Sequence, residues 1–362
     1  MTRPVNFAPG PSILAPSVLD GLAKAVLGLD EVGGLSILEI SHRSKYFDGV
    51  LAETQQRLRA LLGIPDTHAV LFLQGGARGQ FAQLPLNFLR PGRRAAFVDT
   101  GVWARGALDE AKLVGDAYSL ASSHDGGYRH LPDLDGVAPA PDTEYVHTTS
   151  NNTIYGTQWQ TLPDFGAVHH VCDMSSDVLS RPVDVSRFGV IYAGAQKNAG
   201  PAGVTLVIAD RRWIAEARTD IPTIWQYGIQ DKKDSCYNTP PTFAIYAVML
   251  VCRWLEEQGG LEAIARVNEQ KAQAIYEVVD GSGGFYHPFV KEPSHRSRMN
   301  VCFELPDEAR HTAFLAGAKE AGLDSLKGHR TAGGIRASIY NQMPLDGVMR
   351  LVDYMKAFQA RA

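Results

Sequence analysis

Cysteine is scarce in this chain and widely spaced. Cys172, Cys236, Cys252 and Cys302 form no CxxC pair, so the spacing supports neither a metal centre nor a disulfide framework and suits a reducing compartment. Long hydrophobic runs are missing too. The longest, FAIYAVMLVC at 243–252, is about half a membrane span and meets Arg253 at its end. The opening stretch MTRPVNFAPGPSILAP has several prolines and no apolar core, which argues against a signal peptide and for a cytoplasmic protein. Nor does one sign of charge dominate: 35 basic and 39 acidic residues leave a formal net charge of −4. With no basic stripe and no acidic tail, neither nucleic acid nor a basic partner is expected.

What remains is the composition of an ordinary globular chain, 45% hydrophobic and 20% charged over 362 residues, long enough for about two domains. Strand-like runs occur at AVLFL (69–73), RAAFV (94–98), TEYVH (143–147), AVHHVC (167–172), GVIYAG (189–194) and GVTLVI (203–208). Helical patterns lie between several of them: YFDGVLAETQQRLRALLG (46–63), one beginning near Gln80 and one near Trp103. This alternation predicts an open, largely parallel α/β sheet with helices on both faces. A long helix from roughly Pro241 to Glu257 stops at Gly259-Gly260. A helix at 261–279, a strand at 299–305, a helix at 307–321, a strand near GIRASIY and a helix at 346–358 follow. That tail reads as a smaller α+β unit. The expected division is a large domain at 16–258 and a small one at 259–362, joined by the N-terminal segment 1–15.

In open parallel sheets ligands bind beyond the carboxyl ends of the strands, so the residues after each run carry the interest. AVLFL leads into QGGARGQF (74–81), AAFVD into TGVW and Trp103, EYVHTTSNN into Thr153, AVHHVC into Asp173, and GVIYAG into Gln196 and Lys197. A lysine directly behind a buried strand is costly to desolvate unless something uses it. Each feature also has a plain reading. A Gly-Gly turn before a helix is commonly only a turn, Trp103 can be core, Asp173 can cap a helix, and Lys197 can snorkel to water. Together they match one ligand, pyridoxal phosphate. Its aldehyde needs an amine, its pyridine nitrogen a carboxylate, its ring an aromatic face, and its phosphate free N–H groups at a helix start.

Longer blocks then carry a family resemblance: NFAPGP (6–11), SHRSKYF (41–47), QGGARGQFAQLPLNFL (74–89), SNNTIYGTQW (150–159), MSSDVLSRPVDVSRFGVIYAGAQKNAGPAGVT (174–205), YNTPPTFAIY (237–246) and KGHRTAGGIRASIYN (327–341). Through them the chain resembles the phosphoserine aminotransferases, in the class V group of fold type I pyridoxal-phosphate enzymes. The resemblance implies a mostly parallel seven-stranded sheet between helices in a large cofactor-binding domain, plus the smaller C-terminal α+β domain. It implies Lys197 as the Schiff-base lysine, Asp173 as partner of the pyridine nitrogen, Trp103 as the stacking ring and Thr153 as a further cofactor contact. Gly76, Ala77, Arg78 and Gln196 fall where the family binds the phosphate or adjoining anions. Asn238 and Thr239 match a pair that reaches the phosphate from the neighbouring subunit, which implies a homodimer with shared active sites. Two positions depart from the family: Ala77 stands where many members have a third glycine, and Pro9 where some carry a substrate-contacting serine.

The implied reaction moves an amino group between O-phospho-L-serine and 2-oxoglutarate, giving 3-phosphohydroxypyruvate and L-glutamate, in serine biosynthesis. 4-Phosphohydroxythreonine, tied to vitamin B6 synthesis, is a side substrate of the family. By resemblance Arg336 takes the α-carboxylate, and His42, Arg43, His329 and Arg330 surround the distal anion. The residues support this independently. His-Arg occurs at 42–43 and again at 329–330, both in loop-like surroundings, and arginine's planar fork suits carboxylate and phosphate alike. Three rivals are weaker. A class V aminotransferase for a small unphosphorylated amino acid has less use for both His-Arg pairs. A cysteine desulfurase needs a mobile cysteine, and only Cys236 is expected in a loop. A non-catalytic sensor needs neither Lys197 nor Asp173.

Overall fold

The computed structural model describes residues 3–361, and in it the apolar runs become one sheet. Its strands are β1 (His68–Leu73), β2 (Arg94–Asp99), β3 (Ala117–Ser122), β4 (Thr143–Thr149), β5 (His169–Asp173), β6 (Val190–Gly194) and β7 (Thr205–Asp210). Their spatial order is β1-β7-β6-β5-β4-β2-β3. From β6 to β3 all neighbours are parallel, whereas β7 is antiparallel to both β6 and β1. The two reversals leave β1 pointing the same way as β6, so every strand except β7 delivers its carboxyl end to one edge. The expected mostly parallel, seven-stranded sheet is present. The apolar runs did not announce β3: at the edge of the sheet its residues are half-buried or exposed, so it needs no continuous apolar run.

Alternate residues of these strands feed two cores. Val70, Phe72, Cys172, Ile191, Leu206 and Ile208 face one side, where α1 (Pro16–Leu27), α2 (Lys45–Leu62) and α5 (Thr242–Glu257) cover them. Leu71, Phe97, Tyr145, Val171, Tyr192 and Val207 face the other, under α3 (Gly76–Phe88) and α4 (Val102–Val114). The period-two alternation of strands produces this division. Helix α2 starts where Ser44 Oγ accepts a hydrogen bond from Phe47 N at 3.2 Å and ends at Gly63, φ 61°. Its stripe of Phe47, Val50, Leu51, Leu58 and Leu62 is buried, each side chain contributing roughly 1.5–3 kcal/mol. Helix α1, absent from the sequence-based expectation, begins with Pro16 in its first turn, a position where the missing N–H costs nothing.

Beyond Gly259 come α6 (Gly260–Gly281), a three-stranded sheet of β8 (His287–Pro288), β9 (Asn300–Glu304) and β10 (Ile335–Ser338), then α7 (Glu308–Glu320) and α8 (Leu345–Gln359). Helix α6 belongs to two cores. Leu261 and Ile264 join the large-sheet core, while Ile275, Tyr276 and Val279 join Phe303, Phe314, Ile335 and Leu351. The N-terminal segment packs into this second core through Val5, Phe7 and Ile13, and Val5–Asn6 pairs in parallel with Leu323–Asp324.

Candidate active site

Lys197 lies three residues past β6, in a turn closed by Ala199 N donating to Ala195 O at 3.1 Å and Gly200 N to the same oxygen at 2.8 Å. The N-terminal segment crosses over it: Ser12 N donates to Gln196 O at 3.0 Å and Ser12 Oγ to Lys197 O at 2.5 Å. Gly10 has φ 138°, and a Cβ there would stand 3.1 Å from Lys197 Cγ, so the crossing segment favours glycine. The amine Nζ donates to Thr153 Oγ1 at 2.7 Å and lies 5.4 Å from the centre of the Trp103 ring. Burial lowers its pKa to about 8, against the opposing pull of Asp173 and with a smaller push from Arg336. A buried amine brought toward neutrality is a nucleophile and a base.

Asp173 ends β5 and is 4% exposed. Its Oδ1 accepts from Ser175 N at 2.8 Å. Burial raises its pKa, opposed first by Lys197. Among the described residues neither Asp173 nor Lys197 belongs to an ion pair, and both line the same cleft. Across that cleft is the start of α3. Gly75 and Gly76 have φ of 96° and 64°, and no side chain caps the helix, so the first N–H groups are free for an anion. Trp103 stands in the first turn of α4 behind Gly101, and Arg78 lies over its ring at 5.4 Å.

Arg336 comes from β10, in the other half of the chain. It is 6% exposed, donates from Nη1 to Thr153 O at 3.2 Å, and leaves its buried Nε without a partner. No carboxylate pairs with it among the described residues. A buried guanidinium in this state is costly until an anion arrives. His329 stands beside it, its pKa lowered by burial and then by Arg336 and Arg330.

Gly76, Ala77, Arg78, Trp103, Thr153, Asp173, Gln196, Lys197, His329 and Arg336 all line one cleft of about 340 Å³. Arg330 lies in the adjoining cavity of about 520 Å³, with His329 on the shared wall. Asn238 lines a separate cavity of about 120 Å³ that shares Gly75 with the cleft, and its Nδ2 donates to Gln74 Oε1 at 2.8 Å. Thr239 is exposed beside it. His42 and Arg43 occupy the turn ahead of α2 and do not line the cleft of their own chain. Ser175, Ile154 and Gly10 line the cleft and were not expected from the sequence. DMSSD hinted at Ser175 through its capping pattern; nothing local marked the other two.

These residues fit pyridoxal phosphate. The cleft sets an amine opposite a carboxylate, an indole face beside them, and an uncapped helix start at the end suited to the phosphate. Its volume lies in the range of a small-molecule pocket. The comparisons agree. The profile of the family "Aminotransferase class-V" matches residues 5–351. A phosphoserine aminotransferase of Geobacillus kaustophilus is 48% identical, covering 100% of this chain and 99% of the relative. The solved phosphoserine aminotransferase of Bacillus circulans superposes with a TM-score of 0.96 at 46% identity, over 99% of each chain. A pyridoxal-phosphate-bound phosphoserine aminotransferase of Trichomonas vaginalis gives 0.91 at 34% identity, over 98% of this chain and 100% of that one. Pyridoxal phosphate is therefore the cofactor, and the chain belongs to the class V aminotransferases, within them to the phosphoserine aminotransferase family.

Proposed function

We propose that this protein transfers the amino group of O-phospho-L-serine to 2-oxoglutarate, reversibly, releasing 3-phosphohydroxypyruvate and L-glutamate. One observation carries the reading: the buried, acid-free guanidinium of Arg336 shares a cleft with the Lys197 amine and the Asp173 carboxylate. All four substrates and products present an α-carboxylate that this guanidinium can grip with two hydrogen bonds. The distal phosphate or carboxylate then points toward His329 and Arg330.

Pyridoxal phosphate, when bound, supplies an aldehyde that accepts the amino group and a ring that absorbs negative charge from Cα. The chain's own residues do the rest. Lys197 Nζ takes the proton from the substrate Cα and returns one when the keto acid is the acceptor. Thr153 Oγ1, at 2.7 Å, orients that amine. Asp173 supplies the carboxylate that would keep the cofactor's ring nitrogen protonated, and Trp103 supplies a flat wall of the cleft. The α-carboxylate is gripped from the C-terminal region by Arg336, whereas Lys197 and Asp173 belong to the large sheet.

The working unit in this reading is a homodimer in the cytoplasm. Asn238 and Thr239 stand outside their own chain's cleft, in a region where Ile224, Trp225 and Tyr237 are exposed, which supports their reaching a neighbour's site. His42 and Arg43, also outside their own chain's cleft, are assigned to the distal anion of the substrate in the neighbour's site. No helix among the described residues is long and apolar enough to cross a membrane. A substrate panel tests the reaction. Phosphoserine should outpace serine by a factor on the order of 10⁴, because the anion-binding groups are left unpaired by serine. Comparable turnover of serine or alanine refutes the assignment.

A further inference from the structure

Lys271, on α6, is fully buried, and no acidic group pairs with it among the described residues. Its Nζ is surrounded by main-chain oxygens instead: Tyr340 O at 2.7 Å, Ile339 O at 2.9 Å, Met343 O at 3.1 Å and Asn341 O at 3.5 Å. One turn earlier on the same helix, Asn268 Nδ2 donates to Asn341 Oδ1 at 2.9 Å and to Ser180 O at 3.2 Å. Two side chains of α6 thus hold residues 339–343, the link between β10, which carries Arg336, and α8. Converging carbonyl oxygens repel one another unless a multivalent donor sits among them, and the Lys271 amine is such a donor whether charged or neutral, with three N–H groups or two, burial lowering its pKa to about 7.

The link is tied to three segments that carry cleft residues, and at Pro9 to the cleft wall itself. Asn341 N donates to Asn198 Oδ1 at 2.9 Å, on the residue after Lys197. Asn341 Nδ2 donates to Leu179 O at 2.7 Å, in the turn that follows Asp173. Tyr340 OH donates to Pro9 O at 2.8 Å, at the rim of the cleft. The substrate-gripping Arg336 and the proton-moving Lys197 come from distant parts of the chain, and this short segment bridges them.

We propose that Lys271, with Asn268, is a positioning clamp that fixes residues 339–343 and thereby the placement of Arg336 relative to Lys197. Neither side chain touches substrate. Their effect is on the pose of the carboxylate, where a displacement of about 1 Å can cost roughly 10²-fold in rate.

The test uses the holoenzyme and the variant Lys271→Met, which keeps the apolar stem and removes the amine. Calorimetry measures the Kd for glutarate, a dicarboxylate with no reacting carbon, and steady-state kinetics measures phosphoserine turnover. The clamp predicts a Kd for glutarate raised about tenfold and kcat/KM lowered by up to about 10²-fold, through a higher KM and a lower kcat together. The cofactor's absorption band and its pH titration, which report Lys197, should stay as in the wild type. A lower Tm with Kd and kcat/KM unchanged overturns the proposal, since Lys271 is then only structural. So does a wild-type protein that does not bind glutarate. Should Lys271→Met not fold, Asn268→Ala decides by the same two readouts, with a smaller shift in the same direction expected and none refuting it. The kinetic arm rests on the aminotransferase reading. If the wild type does not turn over phosphoserine, that reading fails while glutarate affinity still decides the clamp.

Discussion

Replacing Arg336 by methionine should damage catalysis and leave the fold unharmed, two effects of opposite sign from one side chain. In the free protein the guanidinium is 6% exposed, makes one hydrogen bond to Thr153 O at 3.2 Å and leaves Nε unpartnered. Methionine has a similar volume and no polar group to strand, so Tm should stay level or rise. With substrate bound the balance reverses. The α-carboxylate then enters the cleft with no cation to meet it, and breaking a buried pair from one side costs about 3–5 kcal/mol. At about 1.4 kcal/mol per tenfold, kcat/KM should fall by about 10² to 10⁴. Donor and acceptor share the same carboxylate, so both half-reactions should fall together. Rapid mixing with phosphoserine alone, and separately of the aminated enzyme with 2-oxoglutarate alone, measures each, and scanning calorimetry gives Tm. A loss confined to one half-reaction refutes the reasoning, as does a Tm several degrees lower with near-normal rates.

Further expectations concern the amine, the helix start and the assembly. Burial brings Lys197 to about 8, so the amine is protonated below that pH and neutral above it. Cofactor uptake by the apoprotein, followed by absorbance, should accelerate up to about pH 8 and then level off. The Asp173 carboxylate is the main group raising that value, so Asp173→Asn should move the midpoint to lower pH; a midpoint moving upward contradicts the electrostatic account. Lys197→Ala should bind the cofactor without any link that borohydride can fix, as read by mass spectrometry. Gly76 has φ 64° with open space where a Cβ would go. Gly76→Ala should therefore cost about 1–2 kcal/mol of backbone strain with no collision, seen in Tm and cofactor affinity. Mixing Lys197→Ala chains with Asn238→Ala chains should create hybrids with one intact site and more activity than either parent; no gain would mean that each chain supplies its own Asn238.

The local signals in the chain were sufficient for much of this architecture. Runs such as AVLFL and GVIYAG became β1 and β6, and the 46–63 pattern became α2 within a residue at each end, because the period of apolar residues depends on nearest neighbours alone. Lys197, Asp173 and the Gly75-Gly76 turn were legible because each sits at or just past the carboxyl end of a strand, and strand ends are where such sheets bind ligands. The edge strand β3 and the proline-led helix α1 escaped, since neither carries a fully apolar or conventionally capped pattern. What no local pattern holds is electrostatic environment. That Arg336 is buried without an acid, that Lys271 sits among carbonyls, and that Asn238 and Arg43 lie outside their own cleft are properties of segments far apart in the chain. The tertiary structure decided them, because a charge's cost and use depend on which distant groups folding brings within a few ångströms.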